Sequence, residues 1–557
     1  MKIYKIASTC IFGFATLAMT SCSDNDNIIE SLVFNKNFAP LGIEANSVKE
    51  TTASITWKTA ANATNYNLEV FADDSLTFAG TPEQVITGLT ADDIPYTISN
   101  LQFDTKYSVR IQSLTEGDEG RTSTWNGVYF RTGTKQFLKN PKPAEIADRS
   151  VTLSWEVEEG YDVSQIVIGD ITHNITAEEK EAGQAVIEGL TPETEYTAYL
   201  YYNGKQCGNR KFITIADLEG AILVHEGDDL KAIIEDEELP ANAIIAVYGG
   251  TYELNYNEES GGFGAVKINK SMTIKGIYPT DQPIFKGRFE LNDGAGLTLS
   301  QVVIDGTGNS TTDQIFNYKT ANVNYGALDI QNCTITGRSD GKGLLYLNVK
   351  ATVESITFNN CIVSGIECSG GDFIDSRAGH PKALTLTNST FYNVASSRQF
   401  IRIDDPKVDG FSGTNVKVDH CTLYNVGGSA NASIYYVRFP ENKFTFTNNI
   451  VVGTVYKRGF TNQSTSDQEP TLENNFYFDC QNLTSPGTGA DANICWFDTD
   501  TSAYDITTDT GTKARGKGNG TVLETSPFSG EAPSFAVDPN SKAFTAGAGD
   551  PRWIVAQ

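Results

Sequence analysis

The chain has 557 residues, 39% of them hydrophobic and 20% charged, with 50 glycines, 18 prolines and 3 methionines. That is enough apolar content for packed cores and excludes wholesale disorder, and the length predicts about three to five domains. Its 42 Lys and Arg against 69 Asp and Glu give a net charge of −27, which argues against a nucleic-acid partner held through phosphates but permits a local basic face.

Met1 to Lys5 carries two lysines, Ile6 to Met19 is an uncharged, largely apolar run, and Thr20-Ser21-Cys22 follows. This pattern predicts a secretory signal over residues 1–21, its run being shorter than the ~20 residues of a spanning helix. Removing it takes away two lysines and no acid, so the charge moves from −27 to −29. Cys22 directly after the cut resembles the lipobox of bacterial lipoproteins. Ser23-Asp24-Asn25-Asp26 resembles the export tag of Bacteroidetes surface lipoproteins. The resemblance implies lipidation at Cys22, a lipid-anchored linker over 22–30, and a location on the outer face of the outer membrane.

Cys10 leaves with the signal, so Cys207, Cys333, Cys361, Cys368, Cys421, Cys480 and Cys495 remain. An odd set without CxxC spacing argues against a zinc site or a disulfide framework. Secretion permits a Cys480–Cys495 bridge.

Residues 31–134 and 135–216 each read as a short-stranded β module. In the first, Ala53-Ser54-Ile55-Thr56-Trp57 alternates, and Leu101-Gln102-Phe103-Asp104-Thr105-Lys106-Tyr107 comes later. The second has Val151-Thr152-Leu153-Ser154-Trp155 and then Leu190-Thr191-Pro192-Glu193-Thr194-Glu195-Tyr196. An early-strand tryptophan followed by Leu-x-x-x-Thr-x-Tyr resembles fibronectin type III domains, where the tryptophan fills the space between sheets and the tyrosine ties a corner to backbone. Trp57 and Trp155 are therefore expected in cores.

From about 217 the texture changes. Asp228-Asp229-Leu230 through Glu235 reads as a short helix with an Asp cap, Ala243 to Tyr248 is a continuous apolar strand of the kind buried on both faces, and Met272 to Gly276 is the next strand. Seven segments then align: Leu299-Ser300-Gln301, Ile330-Gln331-Asn332, Phe358-Asn359-Asn360, Leu386-Thr387-Asn388, Val418-Asp419-His420, Phe446-Thr447-Asn448 and Leu472-Glu473-Asn474. They recur every 26 to 32 residues, a period that signals a solenoid. Stacked strands superpose identical positions, so the asparagines can chain their amides while Cys333, Cys361 and Cys421 fill the next interior column. This combination resembles right-handed parallel β-helices of the pectin lyase type, and the whole chain is expected to be all-β: two fibronectin-like sandwiches followed by a β-helix over 217–557. His420 reads as a ladder substitute rather than a catalytic residue.

A second strand precedes each ladder segment. Leu344 to Lys350 alternates with Tyr346, Asn348 and Lys350 outward. Aligning its neighbours predicts one column of Lys319, Lys350, Arg377, Asp404 and Arg438 beside another of Asn317, Asn348, Asp375, Arg402 and Tyr436. Arginine forks grip carboxylates and tyrosine packs on sugar rings, so this stripe suits an acidic, pectin-like polysaccharide. Expected glycan-binding residues are Lys319, Tyr346, Lys350, Asp375, Arg377, Arg402, Tyr436 and Arg438. The competing reading is structural, with cross-strand charge pairs Asp375–Arg402 and Arg377–Asp404.

Pectate lyases resembling this fold pair a basic residue with calcium held by carboxylates. The resemblance implies Arg402 or Arg377 as base and Asp372, Asp375, Asp404 and Asp405 as calcium ligands. Residues 538–553 resemble the closing segment of Bacteroidetes β-helix lipoproteins from glycan-utilisation clusters, and Trp553 is expected to cap the open end. The expected function is polysaccharide capture by a surface lipoprotein. The alternatives are a calcium-dependent lyase acting by β-elimination and a structural partner of an outer-membrane importer.

Overall fold

The structure, a computed structural model, describes residues 36–555 apart from 119–120, 406, 429–431, 440, 457–459, 464–468, 481–482, 485–493, 499–504, 508–512 and 531–533. The signal, Cys22 and the acidic tag lie outside the described residues.

The first module is a sandwich. Leu41–Asn46, Ala53–Lys58 and Tyr96–Ile98 form one antiparallel sheet, and Gln84–Leu89, Asn65–Ala72, Lys106–Leu114 and Asn126–Arg131 form the other. Trp57 is buried between them with its ring edge-on to Tyr66 at 5.4 Å. The Tyr107 hydroxyl accepts a hydrogen bond from the Gln102 backbone N–H at 2.9 Å, tying the corner as the Leu-x-x-x-Thr-x-Tyr pattern predicts. In the second module Ser150–Ser154 pairs antiparallel with Gln184–Glu188, Trp155 is buried, and Tyr196 accepts from the Thr191 N–H at 3.0 Å. The two tryptophans are core residues in both cases.

Asp229 caps a helix over Leu230–Ile234 by accepting from the Ala232 N–H. A parallel β-solenoid follows. Its first sheet runs through Ala243–Val247, Met272–Gly276, Leu297–Ser300, Leu328–Gln331, Ile356–Asn359, Ala383–Thr387, Asn415–Asp419, Lys443–Thr447 and Thr471–Glu473. The second includes Val303–Asp305, Thr334–Thr336, Thr390–Val394 and Thr422–Val426. The third includes Arg288–Leu291, Phe316–Tyr318, Leu345–Leu347, Ile374–Ser376, Ile401–Ile403 and Tyr435–Val437.

The seven aligned segments stack in one register: Leu299, Ile330, Phe358, Leu386, Val418, Phe446 and Leu472 are successive partners, all buried. Burying one large apolar side chain per rung in this column is worth roughly 1.5–3 kcal/mol each.

The third position of every segment turns the chain in the left-handed region, with φ between 49° and 56° from Gln301 through Asn474. Asparagine tolerates that conformation better than other residues with a Cβ, which explains its recurrence apart from any ladder. His420 adopts the same turn at φ 51°. The ladder itself weaves between two columns: Asn360 donates to Asn332 at 2.5 Å, Asn388 to Asn359 at 2.9 Å, and Asn474 to Asn448 at 2.7 Å. The buried column beside it holds Cys333, Cys361, Ser389, Cys421, Asn449 and Asn475. The Ser389 hydroxyl and the Asn449 carboxamide accept from the N–H groups of Cys361 and Cys421. Cys480 is a free thiol, and the side chain of Cys495, the other half of the bridge that secretion permits, lies outside the described residues.

The closing segment lies along the flank of the solenoid, not over its end. Trp553 Nε1 donates to Thr390 Oγ1 at 2.8 Å, buried Asp550 accepts from that same hydroxyl at 2.7 Å, and Arg552 donates to Asn360 at 2.6 Å. Beneath this strap, buried Ile450, Val452, Phe476, Val537, Ala543 and Ala548 form their own apolar cluster. The outward apolar side chains of the second sheet are what it covers. Among the described residues, no helix is long and apolar enough to cross a membrane.

Candidate functional site

The third sheet presents a charged outer face, and its register differs from the sequence alignment at one strand. Glu290, Asn317, Tyr346, Asp375, Arg402 and Tyr436 are successive partners. Tyr346, not Asn348, is the partner of Asn317 and Asp375. Two residues further on, Lys319, Asn348, Arg377, Asp404 and Arg438 form the neighbouring column, and Lys350 drops out of it. The slip of two residues keeps every side chain on its face. Its cause is Leu344-Leu345, both buried, which interrupts the alternation used to align the strand. Lys350 lies off this stripe, 3.8 Å from Asp409.

Asp375 and Arg402 are cross-strand partners as expected, yet the main ion pairs run along the strands. Arg377 grips Asp375 with Nε and Nη2 at 2.8–3.0 Å, and Arg402 grips Asp404 with Nε at 3.0 Å and Nη2 at 2.8 Å. Buried Asp372 links the two: its carboxylate lies 3.2 Å from Arg402 and 3.7 Å from Arg377. The Tyr436 ring sits between the guanidiniums of Arg402 and Arg438, 5.3 and 5.1 Å from its centre, and its hydroxyl accepts from Arg438 Nε at 2.7 Å. Such cation–π contacts stabilise by ~0.5–2 kcal/mol each.

Four residues that sequence reasoning missed complete the face. Arg288 pairs with Glu290 at 2.9 Å and Lys342 with Asp313 at 3.0 Å. Arg288 and Glu290 flank inward Phe289 one rung before the predicted stripe, so extending the alternation backward would have found them. Asp313 and Lys342 sit in turns ahead of their strands, where alternation carries no information.

Six cations (Arg288, Lys319, Lys342, Arg377, Arg402, Arg438) meet five acids (Glu290, Asp313, Asp372, Asp375, Asp404) on this face. They are layered. The Lys319 side chain is 43% exposed over Glu290 at 16%, Arg377 34% over Asp375 at 0%, and Arg438 43% over Asp404 at 14%. Lys342 and Asp313 differ less, at 43% and 33%, and Arg288, at 10%, lies as deep as Glu290. At Lys319, Arg377 and Arg438 the carboxylates lie underneath and the cationic ends point outward, so a molecule in front of those rungs meets positive charge on a strongly acidic protein.

This layering bears on the chemistry available. Burial tends to lower the Arg402 pKa, but its bonds with Asp404 and Asp372 outweigh that and hold it above the ordinary guanidinium range. The Asp375 hydrogen bond does the same for Arg377. Neither arginine releases a proton readily, which is the opposite of what a general base requires. Burial raises the Asp375 carboxyl, only partly offset by Arg377. Among the described residues no three His, Cys, Asp or Glu side chains converge as a metal cluster. Asp372, Asp375 and Asp404 are turned to arginines, and Asp405 is exposed beyond them. The calcium set implied by the lyase resemblance is therefore not assembled, because neighbouring guanidiniums take the oxygens a cation would need.

A cavity of about 490 Å³ opens on this face, lined among others by Gln314, Asn317, Lys319, Lys342, Tyr346 and Arg377. It falls within the size of small-molecule sites. Lys319, Tyr346, Asp375 and Arg377 are brought together there, while Arg402, Tyr436 and Arg438 continue the same face on later rungs.

A fibronectin type III model matches residues 38–126, and a model described as a domain of unknown function (DUF4957) matches residues 250–394, the segment that contains the cavity. The receptor-type tyrosine-protein phosphatase F of Homo sapiens and that of Bos taurus are each 28% identical over 158 residues. The match covers 28% of this chain and only 8% of either relative's length. Among solved structures, a two-domain fibronectin type III segment of chicken tenascin is 17% identical at a TM-score of 0.23, covering 31% of this chain and 98% of that one. A central fibronectin-III array of RIM-binding protein is 15% identical at a TM-score of 0.14, covering 33% and 70%. The chain thus joins fibronectin type III sandwiches to a parallel β-solenoid that bears the charged face.

Proposed function

We propose that this chain is a surface lipoprotein, anchored at Cys22 to the outer membrane, that captures an acidic, pectin-like polysaccharide on the third-sheet face of its solenoid. The observation that carries the reading is the layering of charge. Outward Lys319, Arg377 and Arg438 over inward carboxylates, with Lys342 exposed beside Asp313, make an attractive surface for uronate carboxylates. Tyr346, in the same cavity, supplies an aromatic surface for a sugar ring. In chain order, the two sandwiches separate Cys22 from this face. An outer-membrane importer is the natural partner for a captured glycan.

Capture without cleavage is favoured over the lyase reading, because both candidate bases hold their protons firmly and the acids are engaged with arginine. The test is affinity electrophoresis on polygalacturonate and on neutral glycans, with ultraviolet absorbance of unsaturated product followed in calcium. Retardation on polygalacturonate, weakened about tenfold in Lys342→Ala and Tyr346→Ala and without product, is the expected result. Product formation would install the lyase reading. No retardation on any glycan would leave the importer-partner reading.

A further inference from the structure

The floor of the 490 Å³ cavity includes two carboxamides, Gln314 and Asn317, which are 3% and 7% exposed. Neither side chain hydrogen-bonds to another described residue. Their stems are buried while their amide atoms open to the cavity, so these polar groups stand ready for something that enters from outside.

Their neighbours in the stack show that this is particular to one rung. Gln314 lies two residues ahead of the strand Phe316–Tyr318, and the same position on later rungs is Gly343, Asp372 and Gln399. Asp372 accepts from the Gln399 N–H at 3.0 Å, and Gln399 accepts from the Ser433 N–H and hydroxyl at 2.7 and 2.9 Å. Those side chains stitch rung to rung. At Gln314 the next rung offers Gly343, which has no side chain to bond and leaves the space in front of the amide open. Gly371 keeps it open from a second side, since a Cβ there would lie 3.2 Å from Gln314 Nε2 and 2.6 Å from the Lys342 carbonyl. Beside the carboxamides lie the buried Asp375 carboxylate, clamped by Arg377, and Asp313, paired with Lys342, and the cationic ends of Lys319, Lys342 and Arg377 and the Tyr346 ring stand around them.

We infer that Gln314 and Asn317 form a sugar subsite that reads the hydroxyl groups of one unit of the bound chain, while Lys342 and Arg377 at the rim meet its carboxylate. Each carboxamide both donates and accepts, as a pair of ring hydroxyls does, whereas a carboxylate gains most from the cations. The inference rests on the glycan-binding reading and adds to it the division of labour: floor for hydroxyls, rim for charge.

The test uses the full chain and 1,4-linked galacturonate oligomers, free and methyl-esterified, titrated calorimetrically at several salt concentrations. Gln314→Met and Asn317→Leu keep volume close and remove the amide, and thermal melts establish that each folds. Each is expected to weaken binding about tenfold for both oligomers with the salt dependence unchanged, because a hydrogen bond is lost and no charge. Lys342→Ala is expected to weaken the free acid more than the ester and to flatten the salt dependence. If the parent binds and the folded carboxamide variants bind equally well, the subsite is overturned while capture stands. If the parent binds neither oligomer, the capture reading falls and takes the subsite with it. Should one carboxamide variant not fold, the other decides.

Discussion

Arg377 closes both nitrogens of its fork on Asp375, two residues back along its own strand, even though the residue directly across the sheet from Asp375 is Arg402. Side chains at i and i+2 share a face, so each rung can clamp itself and the rungs are then coupled through Asp372. Arg377→Ala leaves a fully buried carboxylate without its partner. We expect a loss of roughly 2–4 kcal/mol at pH 7. The lone Asp375 carboxyl, already raised by burial, rises further in the variant. The folded state then takes up a proton that the unfolded state does not, and the deficit shrinks as pH falls toward 5. Urea denaturation at both pH values checks this, and an equal deficit at each would refute it.

Asp419 accepts from Thr447 and Asn448 and pairs with Lys417. Burial opposes its ionisation, but these bonds prevail and pull its pKa from 3.8 to about 2. A carboxylate lowered on folding stabilises above its unfolded pKa, and that contribution is lost as pH falls through the folded value. Asp419→Asn should therefore cost about 2 kcal/mol at pH 7 and almost nothing near pH 2, read as a difference in urea midpoints.

His380 is wholly buried, its Nδ1 3.3 Å from the Ser376 hydroxyl. Burial lowers its pKa from 6.5 to about 4, so the folded state resists a proton that the unfolded chain accepts. Stability falls as pH drops from 6.5 toward 4, by about 3 kcal/mol from this group alone. His380→Gln should melt with a flatter pH dependence across that window. An unchanged slope would contradict the assignment.

His420 occupies a left-handed turn position that asparagine holds in five of the seven aligned segments. His420→Asn exchanges it for the residue best suited to the turn, at the loss of a 3.2 Å contact with Asp419. Thermal stability should stay within about 0.5 kcal/mol, and glycan retardation should not change. A collapse of either would give this histidine a role beyond the turn.

Much of this was legible in the residues, and the failures have physical causes. The stack from Leu299 to Leu472 was readable because one large apolar side chain per turn must point inward. The tyrosine corners were readable because a tyrosine at a set distance after a leucine has one place to put its hydroxyl. The register at Leu344-Leu345 was not, since two adjacent buried leucines satisfy either alignment. Pairing along strands rather than across them was hidden because alternation assigns a face but not a rotamer. Gln314 and Lys342 escaped notice because turn residues carry no periodicity. Trp553 was placed at the end of the solenoid by its position in the chain, when the uncovered apolar side chains of the second sheet were the stronger demand.

Arg552 reaches Asn360 across 192 residues, whereas rungs contact one another about 28 apart. During synthesis each turn of the solenoid can therefore settle on the one before it as it emerges. The flank around Thr390 and Ile450 stays uncovered until residues 537–553 have left the ribosome. For that interval the nascent molecule carries an apolar strip that residues 537–553 of the same chain cover, so a chain terminated before them would keep its strands yet be sticky along one side.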